Sequence, residues 1–116
     1  MNKQNVNYPS EKELLKLLEG IEKGKIAVEL DRKASEESIE DENRVYHFNA
    51  GKWRIGVFVD CGDFDYIEYI QHGGKKVTHS QIEEYYPKVD EYIAEKLSCG
   101  RGNKIFGIEK KIFAGL

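Results

Sequence analysis

The sequence predicts a one-domain α+β fold. An N-terminal helix and a C-terminal helical region pack on one face of a central antiparallel meander of about four strands. Two apolar stripes with helical spacing lie near the two ends of the chain, and a period-two alternation fills its middle. At 116 residues with 40% hydrophobic content, the chain is long enough to form one core. Residues 1–116 are therefore treated as a single domain.

The first helix begins after Ser10. Ser10 and Glu13 have the spacing of a capping box, in which each side chain bonds the other residue's backbone N–H. The next apolar residues fall on one helical face; they are Leu14, Leu17, Leu18 and Ile21. Gly20 and Gly24 place the end of the helix between them. Residues 1–9 are expected to form a flexible arm.

Strand patterns occupy four stretches in the middle of the chain, at residues 26–31, 44–49, 53–60 and 64–71. The connections between the last three are short, which predicts an antiparallel meander. The stretch 26–31 is expected to pair beside 44–49. Residues 33–43 are rich in acids and nearly free of apolar side chains, and they predict a solvated acidic loop.

A capping-box pattern at Ser80 and Glu83 predicts the start of the C-terminal helical region. Pro87 interrupts the apolar stripe, and we expect a second helix to begin with Pro87 near its first position. Residues 99–103 predict the loop that ends this helix. Residues 104–113 fit either a short strand plus turn or a terminal helical turn.

Charge and composition exclude several classes of protein. The net charge of −3 lacks the basic excess of a general nucleic-acid binder. No apolar run approaches the length of a membrane span, and the polar N-terminus predicts no signal peptide, so a cytoplasmic location is expected. The two cysteines match no metal or redox spacing, and no cofactor is predicted. Residues 34–72 carry nine acidic and three basic residues, which makes the middle of the chain acidic.

Four carboxylates surround the predicted turn at residues 61–63 without a basic residue between them; they are Asp60, Asp63, Asp65 and Glu68. Asp60, Asp63 and Asp65 could hold a divalent ion in a small hydrolase or nuclease. Paired carboxylates near Tyr66 and His47 could also transfer protons. Two observations argue against a metal site or a catalytic role. The spacing of these aspartates lacks the ligand positions of a calcium loop, and aspartates commonly form solvated turns. Cys61 is expected to be a half-buried turn thiol.

Recognition is the other interpretation of this hairpin. Tyr66 and Tyr69 lie among the acids, and tyrosine provides much contact area for little rotamer entropy. Strict alternation predicts Asp63, Asp65 and Tyr69 on one sheet face and Tyr66 and Glu68 on the other. Carboxylates beside aromatic side chains would steer a basic partner. The structural alternative is that the tyrosines close the core and the acids keep the sheet edge soluble.

The segments Gly51–Ile55 (GKWRI) and Asp60–Tyr66 (DCGDFDY) resemble small bacterial immunity proteins of contact-dependent growth inhibition and related polymorphic toxin systems. The resemblance covers roughly residues 44–72. It implies a cytoplasmic protein that binds a cognate secreted toxin domain, commonly a nuclease with a basic cleft. Inhibition would be stoichiometric, without turnover, cofactor or metal, and without direct contact to nucleic acid.

The candidate partner-binding residues form two groups. The hairpin contributes Asp60, Asp63, Asp65, Tyr66, Glu68 and Tyr69. The acidic loop contributes Glu37, Glu40, Asp41 and Glu42, together with Glu36. The alternatives that stay open are a metal-dependent hydrolase or nuclease using Asp60, Asp63 and Asp65, and a regulatory binding module with no toxin partner.

Overall fold

The computed structural model describes residues 8–98 and 100–108, and within them it contains five helices and one five-stranded antiparallel sheet. The helices are α1 Glu11–Glu22, α2 Arg32–Glu40, α3 His79–Tyr85, α4 Pro87–Lys96 and α5 Gly100–Phe106. The strands are β1 Glu29–Asp31, β2 Val45–Ala50, β3 Trp53–Asp60, β4 Asp63–His72 and β5 Lys75–Thr78. The predicted α+β class is confirmed, with one strand more than expected.

Helix α1 follows the prediction closely. Both hydrogen bonds of the Ser10 and Glu13 capping box are present, and the four predicted apolar residues are buried. The helix ends between the two glycines, at Glu22. Residues 1–7 of the predicted flexible arm lie outside the described residues. The end of that arm is held in place, because Pro9 is buried and its carbonyl accepts the Tyr86 hydroxyl at 2.9 Å.

The sheet has the strand order β1-β2-β3-β4-β5, and every neighbouring pair is antiparallel. Its core face carries alternate residues of β2 and β3, including Phe48, Ile55 and Val57. The predicted strand at 26–31 is shorter than expected, since only Glu29–Asp31 pairs with β2. Strand β5 was not predicted, because Val77 is its only buried residue.

The two edge strands of the sheet are both short and both lead into a helix. The edge strands β1 and β5 have three and four residues, and each continues directly into a helix. Helix α2 packs along β2, where the buried Ser35 hydroxyl accepts the backbone N–H of His47 at 2.9 Å. Short edge strands and covering helices limit pairing with other chains.

The predicted acidic loop at residues 33–43 is wrong for most of its length, because Arg32–Glu40 forms helix α2. The Asp31 carboxylate caps this helix by accepting the backbone N–H of Ala34 at 3.1 Å. The helix buries a serine rather than an apolar stripe, so the sequence carries little of the hydrophobic periodicity that predicts helices.

The C-terminal region contains two helices, α3 and α4, where the sequence shows one apolar stripe interrupted by Pro87. The capping box of α3 is formed by Thr78 and Gln81, two residues before the predicted pair at Ser80 and Glu83. Pro87 begins α4, as predicted. Tyr86 gives α4 no side-chain cap, and the Glu11 carboxylate of α1 supplies one instead, accepting the backbone N–H of Lys88 at 2.6 Å.

Helix α5 corrects the loop predicted at residues 99–103. Gly100–Phe106 is helical, and Phe106 packs on Phe48 and Phe64 with ring centroids 5.2 and 6.0 Å apart. Of the two alternatives for residues 104–113, the helical one holds up to Phe106, and residues 109–113 lie outside the described range. The core thus lies between the sheet and the helices α1, α3, α4 and α5.

Candidate functional site

The sheet face opposite the core, here called the outer face, carries the candidate site. A groove of about 320 Å³ lies on it, between the end of α2 and strand β4. Its lining residues are Ser38, Asn43, Val45, His47, Phe58, Tyr66, Glu68 and Tyr69. We call this the outer-face groove.

The β3–β4 pairing has two irregularities, and the first of them places both candidate tyrosines on the outer face. The register shifts between Gly56 and Val57 and again between Phe58 and Val59. The core positions of β4 therefore fall at Phe64, Ile67 and Ile70, three residues apart instead of two. The alternation that separated Tyr66 from Tyr69 is thus wrong, because β-bulges each add one residue to a strand.

The first row of the groove is aromatic and apolar. Phe58 and Tyr66 are paired across β3 and β4, and their rings stack with centroids 5.0 Å apart and planes inclined by 8°. Val45 pairs with Phe58 on the other side. Phe58 and Tyr66 remain partly exposed. Burial, with the nearby Glu68 and Asp65 carboxylates, raises the pKa of Tyr66, so its hydroxyl stays neutral near pH 7.

The second row of the groove contains Tyr69, whose ring crosses a glycine on the neighbouring strand. His47, Gly56 and Tyr69 are in register on β2, β3 and β4. The ring of Tyr69 lies on the Gly56 backbone, where a Cβ atom would stand 2.1 Å from Tyr69 Cε2. The Tyr69 hydroxyl thereby reaches His47 Nδ1 at 2.6 Å, two strands away. Gly56 provides the space for this contact, as glycines covered by a cross-strand aromatic ring commonly do.

The imidazole of His47 bridges two hydroxyl groups. Its Nδ1 lies 2.6 Å from the Tyr69 hydroxyl and its Nε2 lies 3.2 Å from Ser38 Oγ. The tautomer of the neutral ring sets the direction of both hydrogen bonds. Burial and the positive charge of Arg54 lower the pKa of His47, which favours the neutral ring.

This arrangement holds His47 in position between two hydroxyl groups. Arg54 is itself fixed, because it donates to Asp31 Oδ2 and to Asn49 Oδ1, each at 3.0 Å. The backbone N–H of Ala34, together with the Arg54 guanidinium, lowers the pKa of Asp31. The network therefore ties α2 and β1 to the centre of the sheet.

The four hairpin carboxylates have different surroundings. Asp60 forms an exposed ion pair with Arg44 at 3.3 Å. Asp63 accepts the side-chain amide of Asn103 at 2.8 Å, and this amide also accepts the Phe64 backbone N–H, so Asp63 helps to hold α5. Asp65 is exposed, and Glu68 is half-buried in the wall of the groove.

The acids of α2 lie near the opposite wall. Glu37, Glu40, Asp41 and Glu42 are all exposed. They belong to the same segment as Ser38 and Asn43, which line the groove. Glu36 is paired with Arg32 at 3.5 Å. Two carboxylate-bearing segments that are separate in sequence therefore flank one aromatic groove.

Residues 8–98 and 100–108 contain no group of three or more His, Cys, Asp or Glu side chains placed to hold a metal ion. Asp60 and Asp63 are engaged with Arg44 and Asn103 as described above. Cys61 is an exposed free thiol, which corrects the half-buried position expected for it.

Comparisons with protein-family models, with curated proteins and with solved structures find no match to this chain. Within the described ranges, no helix is long and apolar enough to cross a membrane.

Several of the residues that shape the groove have no local signal in the sequence. Ser38, Arg54 and Asp31 were not singled out, and His47 was considered only as a proton-transfer group. Their contacts join residues 9 to 23 positions apart. No local pattern predicts such contacts, because they depend on strand register.

Proposed function

We propose that this chain is an immunity protein that binds and neutralises a cognate secreted toxin domain, most simply a nuclease, by stoichiometric protein–protein inhibition without turnover. The observation that carries the proposal is the outer-face groove, an aromatic floor between two carboxylate-bearing segments. The resemblance of residues 44–72 to immunity proteins supplies the class of partner.

The floor of the groove has the chemistry of a protein-binding anchor. Tyr66 is held flat on Phe58, so little side-chain entropy remains to be lost when a partner covers it. Aromatic residues near the centre of an interface contribute a large share of binding energy. The β-sheet and the His47 network beneath the groove keep this surface in one shape.

The rim supplies the charge. Nucleases that bind phosphates present lysine and arginine side chains, and carboxylates at the rim would meet them. Asp65 and Glu68 are the hairpin acids best suited to this contact, because neither forms an ion pair with another described residue. Glu37, Glu40, Asp41 and Glu42 would extend the acidic rim along α2.

The experiment pairs this chain with the toxin domain encoded by the neighbouring reading frame. We expect the two to co-purify in equal amounts and the chain to restore growth of cells that express the toxin. The double variant Asp65→Lys and Glu68→Lys should weaken binding by about tenfold or more, mainly through slower association, because charges at the rim of an interface steer a partner of opposite charge.

The matched control changes two exposed acids that do not line the groove. Glu91 and Glu95 are exposed on α4, and their double replacement by lysine makes the same change in net charge. That control should neutralise the toxin as well as the original chain does. Equal losses in both variants would show that net charge matters and that the groove does not. Absence of any complex with the toxin domain would overturn the proposed function itself.

A further inference from the structure

A second groove, on the opposite layer of the molecule, has the reverse charge. It has a volume of about 890 Å³ and lies along α1, the turn that follows it, and the start of α4. Its apolar floor consists of Leu15, Gly20 and Ile26. We call it the α1 groove.

The floor has its shape because of one close contact. After α1 the chain folds back, and the backbone N–H groups of Lys25 and Ile26 both donate to the Gly20 carbonyl, at 2.8 and 2.9 Å. The Ile26 side chain then covers Gly20 so closely that a Cβ there would stand 2.5 Å from Ile26 Cδ1. Leu15 and Ile26 are both only partly buried, so apolar surface remains open to solvent.

The rim is made of lysines. Five of them line the groove; they are Lys12, Lys16, Lys23, Lys25 and Lys88. The two acids of the lining are already engaged. Glu19 pairs with Lys23 at 3.5 Å, and the Glu11 carboxylate caps the first turn of α4.

Four positive charges therefore surround the floor without an anionic partner among the described residues; they are Lys12, Lys16, Lys25 and Lys88. Lys12 and Lys16 are also one helical turn apart, where like charges repel. A ligand that brings carboxylates to this rim would neutralise the lysines and reduce the repulsion between Lys12 and Lys16. Apolar side chains of the same ligand would cover the open floor.

We infer that the α1 groove binds an acidic amphipathic segment of a partner protein, with apolar side chains on Leu15 and Ile26 and carboxylates against the four lysines. The argument rests on charge complementarity and on the open apolar floor. It is independent of the proposed toxin binding, which uses the acidic outer face. The 12 residues of α1 offer about 18 Å of groove wall at 1.5 Å per residue, which suits a partner helix of about three turns.

The test uses a synthetic peptide of about 15 residues with leucine on one helical face and glutamate on the other. Its binding to the full chain is followed by NMR titration at low salt. We expect the largest chemical-shift changes at Leu15, Gly20 and Ile26. The affinity should fall as salt screens the lysines, over a Debye length of about 10 Å at 0.1 M. Peptides with glutamine in place of glutamate, or serine in place of leucine, should bind more weakly.

The double variant Lys12→Glu and Lys16→Glu should weaken peptide binding by about tenfold or more while leaving the fold intact, since both side chains are exposed. The matched control is Lys52→Glu and Lys96→Glu, two exposed lysines in the β2–β3 turn and at the end of α4. This control should retain the affinity of the original chain.

Four outcomes would overturn the inference. The peptide could fail to bind, or the control variant could lose as much affinity as the groove variant. Vesicles of phosphatidylglycerol and phosphatidylcholine could bind the chain when the peptide does not, which would indicate a membrane surface. Self-association in sedimentation that disappears in Lys12→Glu and Lys16→Glu would indicate a second copy of the chain as the occupant.

Discussion

Gly56 is the residue on which the outer-face groove depends most. The Tyr69 ring crosses the Gly56 backbone, and the Tyr69 hydroxyl reaches His47 on β2. A side chain at this position would lift the ring and break the hydrogen bond. The same contact buries the backbone of the central strand, so one residue links the stability of the sheet to the geometry of the groove.

Gly56→Ala should therefore destabilise the fold by about 1–3 kcal/mol, because the added methyl group overlaps the Tyr69 ring and forces it to move. The measurement is the urea midpoint, and NMR would follow the Tyr69 and His47 ring signals. Gly74→Ala is the control, since a Cβ at Gly74 meets nothing within 4 Å. Equal midpoints for the two variants would contradict this role of Gly56.

At the scale of elements, α5 is attached to the sheet through one polar side chain. Asn103 accepts the Phe64 backbone N–H at 2.6 Å and donates to Asp63 at 2.8 Å. Phe106 completes the attachment by packing on Phe48 and Phe64. Asp63 thus has a structural role in addition to any contact with a partner.

Asn103→Ala should cost about 1–2 kcal/mol of unfolding free energy, because it leaves a backbone N–H and a carboxylate of β4 without their partner. Hydrogen exchange should become faster in α5 and remain slow in β2 and β3. Lys104→Ala, at the exposed neighbouring position, is the control. Unchanged exchange in α5 would mean that the packing of Phe106 alone holds this helix.

At the scale of the whole molecule, stability is coupled to the protonation of His47. Burial and Arg54, with a smaller effect of Lys76, lower the pKa of His47 below 6.5, and Asp31 opposes them. Between the two pKa values the unfolded chain binds a proton that the folded chain does not. The contribution of His47 is therefore fully present above pH 6.5 and is lost as the pH falls towards the folded-state pKa.

We expect the urea midpoint to decrease as the pH falls from about 7.5 through 6.5. This range lies above the ordinary pKa of 3.8 for Asp31, whose own lowered value would act at more acid pH. His47→Gln should flatten the pH dependence while lowering stability at neutral pH. A slope in His47→Gln equal to that of the original chain would assign the effect to other groups.

The distribution of charge over the whole molecule also bears on the proposed function. The outer-face groove is bordered by acids from α2 and β4, and the α1 groove by lysines. Grooves of opposite charge on different layers would allow two partners to bind at once. A toxin with a basic cleft and a protein with an acidic amphipathic segment would not compete for the same surface.

Much of the fold follows from the sequence alone. The apolar stripe of α1, its capping box, the start of α4 at Pro87 and the strands β2, β3 and β4 were all predicted, because each is specified by residues close together in the chain. Helix α2 and strand β5 were missed, because their few buried residues give no clear periodicity. Their conformations depend on docking against the two edges of the sheet.

The candidate site divides in the same way. The residues of the hairpin already show that it combines tyrosines with carboxylates. The fold adds that Tyr66 and Tyr69 share one face, through the register shift between Gly56 and Val57, and that Asp60 and Asp63 are held by Arg44 and Asn103. These contacts join residues that are far apart along the chain. Composition and periodicity specify local structure, whereas register, bulges and contacts between remote residues depend on how the whole chain packs.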